Sequence, residues 1–287
     1  MAHFDNDAAA CYDCIIVVLA SLCGRKQGIN RDVIFIHATT LREAKFKLKT
    51  KAGLSDTSYS HCTAFPIHGT GQGSTNSPTI WCFISSELFD VHSSKAHGMV
   101  FTTPDGSLLV RLTMIGFVDD STCITGGNET TTYNRLIEMM QEDAQLWHDL
   151  LWTLGGKLEL SKCGYHAIDY EFDDYGVATM KYRPADSIRL RDHAATEVEI
   201  HLKTIFTTRK NLGHYKALTG TCKKQFEMLK QKALQLTSEI AACGGSREDV
   251  RLLVEAVRNP AVMYPIAQSF LSEKQMDEID RVLMPRL

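Results

Sequence analysis

The sequence predicts an α+β fold, in which a mixed helix-and-strand part gives way near residues 173–215 to a helical one. Three observations carry this. Apolar residues recur at helical spacing in some segments and alternate in others, a change of period that separates helices from strands. Two apolar runs meet at Val118-Asp119-Asp120-Ser121, the pattern of a β-hairpin. From Thr221 onward only helical spacing remains. The 287 residues make one large domain or two small ones, and 44% apolar with 23% charged residues is an ordinary globular composition.

Taken in order, the acidic segment Asp5–Asp13 reads as a short strand running into a helix. The apolar stretch Cys14–Cys23 reads as a buried helix that stops at Gly24, and a second helix is expected over Arg31 to about Leu48. Residues 53–79 are rich in Gly, Ser, Thr, Asn and Pro and read as loop. Ser77 then suits an N-cap and Pro78 a first helical position, with Ile80, Trp81, Phe83, Ile84, Leu88 and Phe89 giving the helix a broad apolar side. Leu109–Phe117 and Cys123-Ile124 form the two arms of the hairpin. A long helix from about Thr130 carries Ile137, Met140, Trp147, Leu150, Leu151 and Leu154 and ends at Gly155-Gly156. Short strands are expected at Tyr165–Phe172, Val177–Tyr182 and Val198–Leu202. Four helices follow: one with Phe226, Leu229, Leu234 and Ile240, one over Asp249–Arg258, one from Pro260, and one opened by Ser272-x-x-Gln275, which resembles a capping box.

The formal net charge of −3 excludes a polycation that holds nucleic acid by bulk charge. The charge is uneven: residues 1–172 carry 13 basic and 19 acidic residues, and residues 173–287 carry 18 and 15. No apolar stretch approaches the roughly 20 residues a bilayer requires, and no basic-then-apolar leader pattern opens the chain. No membrane partner is expected, and the localisation expected is intracellular, in nucleus or cytoplasm. Of nine cysteines only Cys11 and Cys14 form C-x-x-C, without a second pair at zinc spacing, so reduced thiols are expected.

Chemistry concentrates in three segments. Phe117-Val118-Asp119-Asp120 sets two adjacent carboxylates at a tight turn, where like charges raise one another's pKa unless a cation lies between them. Mg²⁺ takes oxygen ligands of this kind together with substrate phosphates; a solvated Asp-Asp turn is the plainer alternative. Asp5, Asp7 and Asp13 form a second carboxylate group, which helix capping also explains. The third segment, Gly69-Thr70-Gly71-Gln72-Gly73-Ser74-Thr75-Asn76-Ser77-Pro78, places glycines before a helix N-terminus, where backbone N–H groups approach a phosphate or base. It lacks the lysine of a Walker A loop and the third glycine of a dinucleotide fingerprint.

In order and spacing these segments resemble the palm of the reverse transcriptases (RNA-directed DNA polymerases), nearest those of eukaryotic retroelements of the retrotransposon type. Asp7, Tyr12 and Asp13 match motif A of that family, Gln72-Gly73 and Ser77-Pro78 match motif B, and Phe117 to Asp120 match motif C. Gly155-Gly156 with Lys162 resembles motif D, and Leu212-Gly213 is a weaker match to the primer-grip hairpin. The resemblance spans roughly residues 4–215.

The resemblance implies a polymerase palm, an antiparallel sheet with helices packed on one face, followed by a helical thumb-like region. It divides the chain into a palm at 1–172 with motifs A to D, a strand-rich connector and primer-grip region at 173–215, and a thumb-like region at 216–287. It implies two-metal nucleotidyl transfer of dNTPs onto a primer 3′-hydroxyl, with RNA or DNA template and primer as partners. Asp7, Asp119 and Asp120 are the implied ligands of two Mg²⁺ ions, or Mn²⁺, with Asp5 competing with Asp7. Tyr12, Gln72 and Gly73 are the implied nucleotide-binding residues, and Lys162 the implied general acid toward pyrophosphate. Arg209-Lys210 and Lys223-Lys224 are placed to track the primer–template backbone. Only Met1–Phe4 precede the aspartates, so an N-terminally truncated chain lacking the fingers is expected. Its expected partners include that missing segment or other parts of a retroelement polyprotein. A catalytically inactive nucleic-acid-binding remnant is the alternative function.

Overall fold

Strict alternation in β1 (Ala2–Ala9) organises the first part of the molecule: Ala2, Phe4, Asn6 and Ala8 are buried while His3, Asp5, Asp7 and Ala9 are only partly covered. The computed structural model describes the chain apart from residues 10, 52, 63–67, 71–74, 118–119, 129, 182, 184–186, 212–213, 268 and 282–287, and apart from the side chains of Cys11, Phe117 and Asn211. The architecture is mixed α+β with antiparallel sheets, and two compact units divide at Lys203 and Thr204.

In the first unit, β1 is followed by α1 (Cys11–Cys14), α2 (Val17–Lys26), α3 (Arg31–Glu43) and α4 (Ser77–Lys95). The hairpin of β2 (Met114–Phe117) and β3 (Asp120–Thr125) comes next, then α5 (Tyr133–Thr153), β4 (Lys157–Leu158) and β5 (Gly164–Ala167). These five strands form one antiparallel sheet in which β1 is central, with β3 and then β2 on one side and β4 and β5 on the other. α5 supplies Leu136, Met140, Ala144, Trp147 and Leu151 to the core at helical spacing, and α4 supplies Trp81, Ile84 and Leu88. Both meet Ala2, Phe4 and Ala8, so the helices cover the even-numbered face of β1. Phe89 of α4 stacks on Trp147 with ring centroids 5.5 Å apart. α5 ends where expected, at Gly155, whose φ of +88° needs a residue without a side chain.

Several elements differ from the sequence reading. α3 stops at Glu43, not near Leu48. The residues after it, Lys45-Phe46-Lys47-Leu48-Lys49, alternate with period two, and Lys45–Phe46 and Lys49–Thr50 pair with Tyr59–Ser60 and Gly53–Leu54. Leu109–Leu112 pairs with Met99–Thr102, a strand the apolar pattern did not reveal, and Thr113 separates it from β2. α4 begins one residue earlier than expected: Asn76 occupies the cap position, and the Ser77 hydroxyl donates to the Thr70 carbonyl (2.9 Å). The expected strand Tyr165–Phe172 breaks at Ile168, and Asp169–Phe172 forms its own hairpin with Ala178–Lys181.

Beside α5 lies the hairpin of Ile188–Arg191 and Glu197–Ile200. Gln141 and Gln145, one turn apart on α5, accept from the backbone N–H groups of Arg189 (2.9 Å) and Arg191 (2.8 Å), and the Gln145 amide donates to the Arg191 carbonyl (3.2 Å).

The second unit contains the hairpin of Arg209–Asn211 with His214–Lys216, then α6 (Lys223–Ala242), α7 (Arg247–Leu253), a π turn at Val254–Arg258, α8 (Asn259–Ile266) and α9 (Glu273–Arg281). Leu229, Ala233, Val262 and Ile279 form its core. Ser272 and Gln275 exchange the reciprocal bonds of the expected capping box. Leu212-Gly213 lies outside the described residues.

Candidate functional site

Residues directly opposite in an antiparallel pair point to the same face, with Cβ atoms about 5 Å apart. Asp7 is the register partner of Asp120, so their carboxylates share the face that the helices leave open. Asp5 lies two residues back on that face, opposite Thr122, whose hydroxyl donates to Asp5 Oδ1 (3.0 Å). Its other oxygen is 3.5 Å from Nε2 of the buried His166. Asp5 is therefore engaged deeper on the sheet, and Asp7 is the carboxylate that faces Asp120. Asp119 lies outside the described residues.

Lys162 reaches this pair from the turn between β4 and β5, with its Nζ 2.9 Å from Asp7 Oδ2. The turn is pinned to β1 itself: the Glu159 N–H donates to the Asp7 carbonyl, and the Lys162 N–H donates to Glu159 (2.9 Å each). The hydrogen bond and charge of Asp7 hold the Lys162 ammonium above the ordinary lysine pKa. A second lysine, missed by sequence reasoning, lies along the same face: the Lys203 side chain crosses Gly164, the partner of Asp5. The glycine leaves room for the end of the lysine in this conformation, and the parallel bridge between Tyr165 and Leu202 brings Lys203 there.

Farther along, His3 and His166 are cross-strand partners. Burial, then the neighbouring His166, then the chain amino group push the His3 pKa down to about 4, so the His3 imidazole is neutral at pH 7.

The segment before α4 docks on the turn that follows β1. The Thr70 N–H donates to the Tyr12 carbonyl, the Gly69 N–H to the Ile15 carbonyl (2.8 Å each), and His68 Nδ1 to the Asp13 carbonyl (2.9 Å). Gly69 has φ +78°, and a Cβ there lies 2.8 Å from the Asp13 backbone, so a side chain does not fit. The Tyr12 ring packs against the core cluster. Gln72 and Gly73 lie outside the described residues. The structure thus brings Asp7, Asp120 and Lys162 together, and separately docks the Thr70 end of the glycine-rich segment on the Tyr12 turn that follows β1.

Two facing carboxylates are hard oxygen donors of the type Mg²⁺ prefers, with water and phosphate completing its shell. Opposed like charges destabilise a strand pair, and the Lys162 ammonium at Asp7 offsets that. Among the described residues no group of three or more His, Cys, Asp or Glu is gathered closely enough to hold a metal ion alone. Among the same residues no helix is long and apolar enough to cross a membrane.

No protein-family model matches the sequence, and no curated protein matches it. Among solved structures, the chain is similar to the telomerase of Candida tropicalis in complex with a TWJ fragment of telomeric RNA, at 12% identity and a TM-score of 0.37. It is similar to the corresponding Candida albicans telomerase complex at 14% identity and a TM-score of 0.37. Both alignments cover 98% of this chain and 44% of the telomerase chain, so the chain spans less than half of their length.

Proposed function

We propose that the chain is the palm and thumb-like part of an RNA-directed DNA polymerase of the retroelement type, adding dNTPs to the 3′-hydroxyl of a primer on an RNA or DNA template. The observation that carries the reading is the register of Asp7 against Asp120 on the open face of the sheet, with Lys162 on Asp7. Asp7 and Asp120, joined by Asp119, are the residues that would hold two Mg²⁺ or Mn²⁺ ions. Ions held there would supply a lowered pKa for the primer hydroxyl and positive charge against the triphosphate.

The chain's own groups do the rest. Lys162, an ammonium at neutral pH held beside Asp7, carries the proton for the leaving pyrophosphate. Tyr12, on a turn braced by Thr70, stands under the sugar and selects against a 2′-hydroxyl. Gln72 and the Gly73 backbone contact the incoming nucleotide. Arg209, Lys210, Lys223 and Lys224 supply cations for phosphates of the primer–template.

The test is extension of a labelled DNA primer on an RNA template by the full chain, with Mg²⁺ and dNTPs. Incorporation is expected to require the ion and to fall by about 10³-fold or more in Asp7→Asn and Asp120→Asn variants, since metal-assisted charge stabilisation contributes several kcal/mol. Incorporation that survives the double variant overturns the metal assignment, and preference for ribonucleotides overturns the role of Tyr12. Salt-dependent primer–template binding with no incorporation identifies the chain as an inactive nucleic-acid-binding remnant.

A further inference from the structure

We propose that Asn6 is a positioning residue that sets the geometry of the Asp7–Asp120 pair from the helix-covered side of the sheet. The inference rests on the reading of those aspartates as metal ligands. Asn6 lies between Asp5 and Asp7, yet its side chain points the other way and is 1% exposed. Its neighbours on that face of β1 are Ala2, Phe4 and Ala8, all buried and apolar. The Asn6 Oδ1 accepts from the Ser121 hydroxyl (2.5 Å) and from the Trp147 indole N–H (3.2 Å).

One acceptor atom therefore ties together three elements. Ser121 is the register partner of Asn6 and directly follows Asp120, so this pair is adjacent to the Asp7–Asp120 pair. Trp147 anchors both to α5 and is itself 2% exposed. A one-residue slip of β3 against β1 sends Asp120 to the covered face, away from Asp7, and a slip breaks the Asn6–Ser121 bond. Packing alone does not account for the amide. A leucine fills such a site without a polar group to satisfy, whereas Asn6 Nδ2 is buried with no hydrogen-bond partner among the described residues. The residue gives up packing quality for a fixed orientation directly behind the carboxylates.

The experiment measures Mn²⁺ binding to the full chain by the EPR signal of free Mn²⁺, with primer extension titrated in Mg²⁺ alongside. The variants are Asn6→Leu, Ser121→Ala combined with Trp147→Phe, and Asp7→Asn as the control that removes a ligand; thermal melting reports folding of each. Asn6→Leu and the double variant are both expected to melt cooperatively and to weaken Mn²⁺ binding on the order of tenfold, as loss of groups that orient metal ligands does. The Mg²⁺ requirement of extension is expected to shift by the same factor with little change in primer–template KM. Wild-type Mn²⁺ affinity in the folded variants, with binding lost in Asp7→Asn, overturns the role of Asn6 alone. No Mn²⁺ binding by the wild type overturns the reading of the aspartates and this inference with it. If Asn6→Leu does not fold, the double variant, which keeps Asn6 and an aromatic ring at position 147, decides the question.

Discussion

The two faces of β1 are built from alternate residues of one eight-residue strand, and they solve opposite problems. The covered face is settled by packing: Phe4, Met140, Trp147 and Trp81 exclude water, and Asn6 Oδ1 takes up the Ser121 hydroxyl and the Trp147 indole N–H. The open face collects carboxylates and cations that packing alone would not bring together, and it tolerates them because solvent and Lys162 share the charge. The contrast teaches that strand alternation alone separates what holds this fold from what it presents to a ligand. A substitution's burial on its face should therefore weigh on whether it costs stability or activity, with Asn6 acting on the carboxylates from behind the sheet.

The largest expected effect breaks the covered face. Trp147→Ala removes a fully buried indole and the donor to Asn6, and a loss of about 3–5 kcal/mol in denaturant unfolding is expected. A loss below about 1 kcal/mol means the core does not depend on α5 as described. On the open face, Lys162→Met is expected to lower nucleotide incorporation roughly 10²-fold, the contribution of a positioned general acid. Its melting temperature should not move, because exposed ion pairs contribute little.

His3 sharpens the comparison because it lies on the open face but is largely buried. Its folded pKa of about 4 lies below the ordinary histidine value of 6.5, so the unfolded chain binds the proton more readily. The stability it contributes is present above about pH 6.5 and lost as pH falls toward 4, on the order of 2–3 kcal/mol in all. His3→Gln should flatten that slope in unfolding measurements at pH 4–7; an unchanged slope removes His3 as its source. The smallest measurable change in stability is expected at Asp120→Asn. Relieving the like-charge pair should raise stability by a few tenths of a kcal/mol while incorporation is lost. A clear drop in melting temperature there means that Asp120 serves the fold.

Much of this division is legible in the sequence because alternation and helix periods are local. Asp7 and Asp120 stand out as carboxylates at apolar segment ends, and Gly155 marks the end of α5 through the φ it must adopt. What the sequence hides is pairing across distance. Met99–Thr102 becomes a strand only because Leu109–Leu112 returns beside it. Lys203 joins the open face through a bridge that no spacing announces. Asn6, set between two aspartates, reads as part of a polar patch until strand direction turns it inward. Around Leu48 a row of lysines masks the two-residue period beneath it, so the segment reads as helix.

The paired glutamines of α5 have a consequence for how the protein behaves at high concentration. A two-stranded hairpin normally exposes backbone donors and acceptors along its outer edge, which recruit strands from other molecules. Here Gln141 and Gln145 already hold the N–H groups of Arg189 and Arg191, so an approaching strand must first displace them. Replacing those two side chains would expose an arginine-bearing edge to neighbouring chains while leaving every carboxylate of the candidate site untouched, making self-association a hazard separable from chemistry.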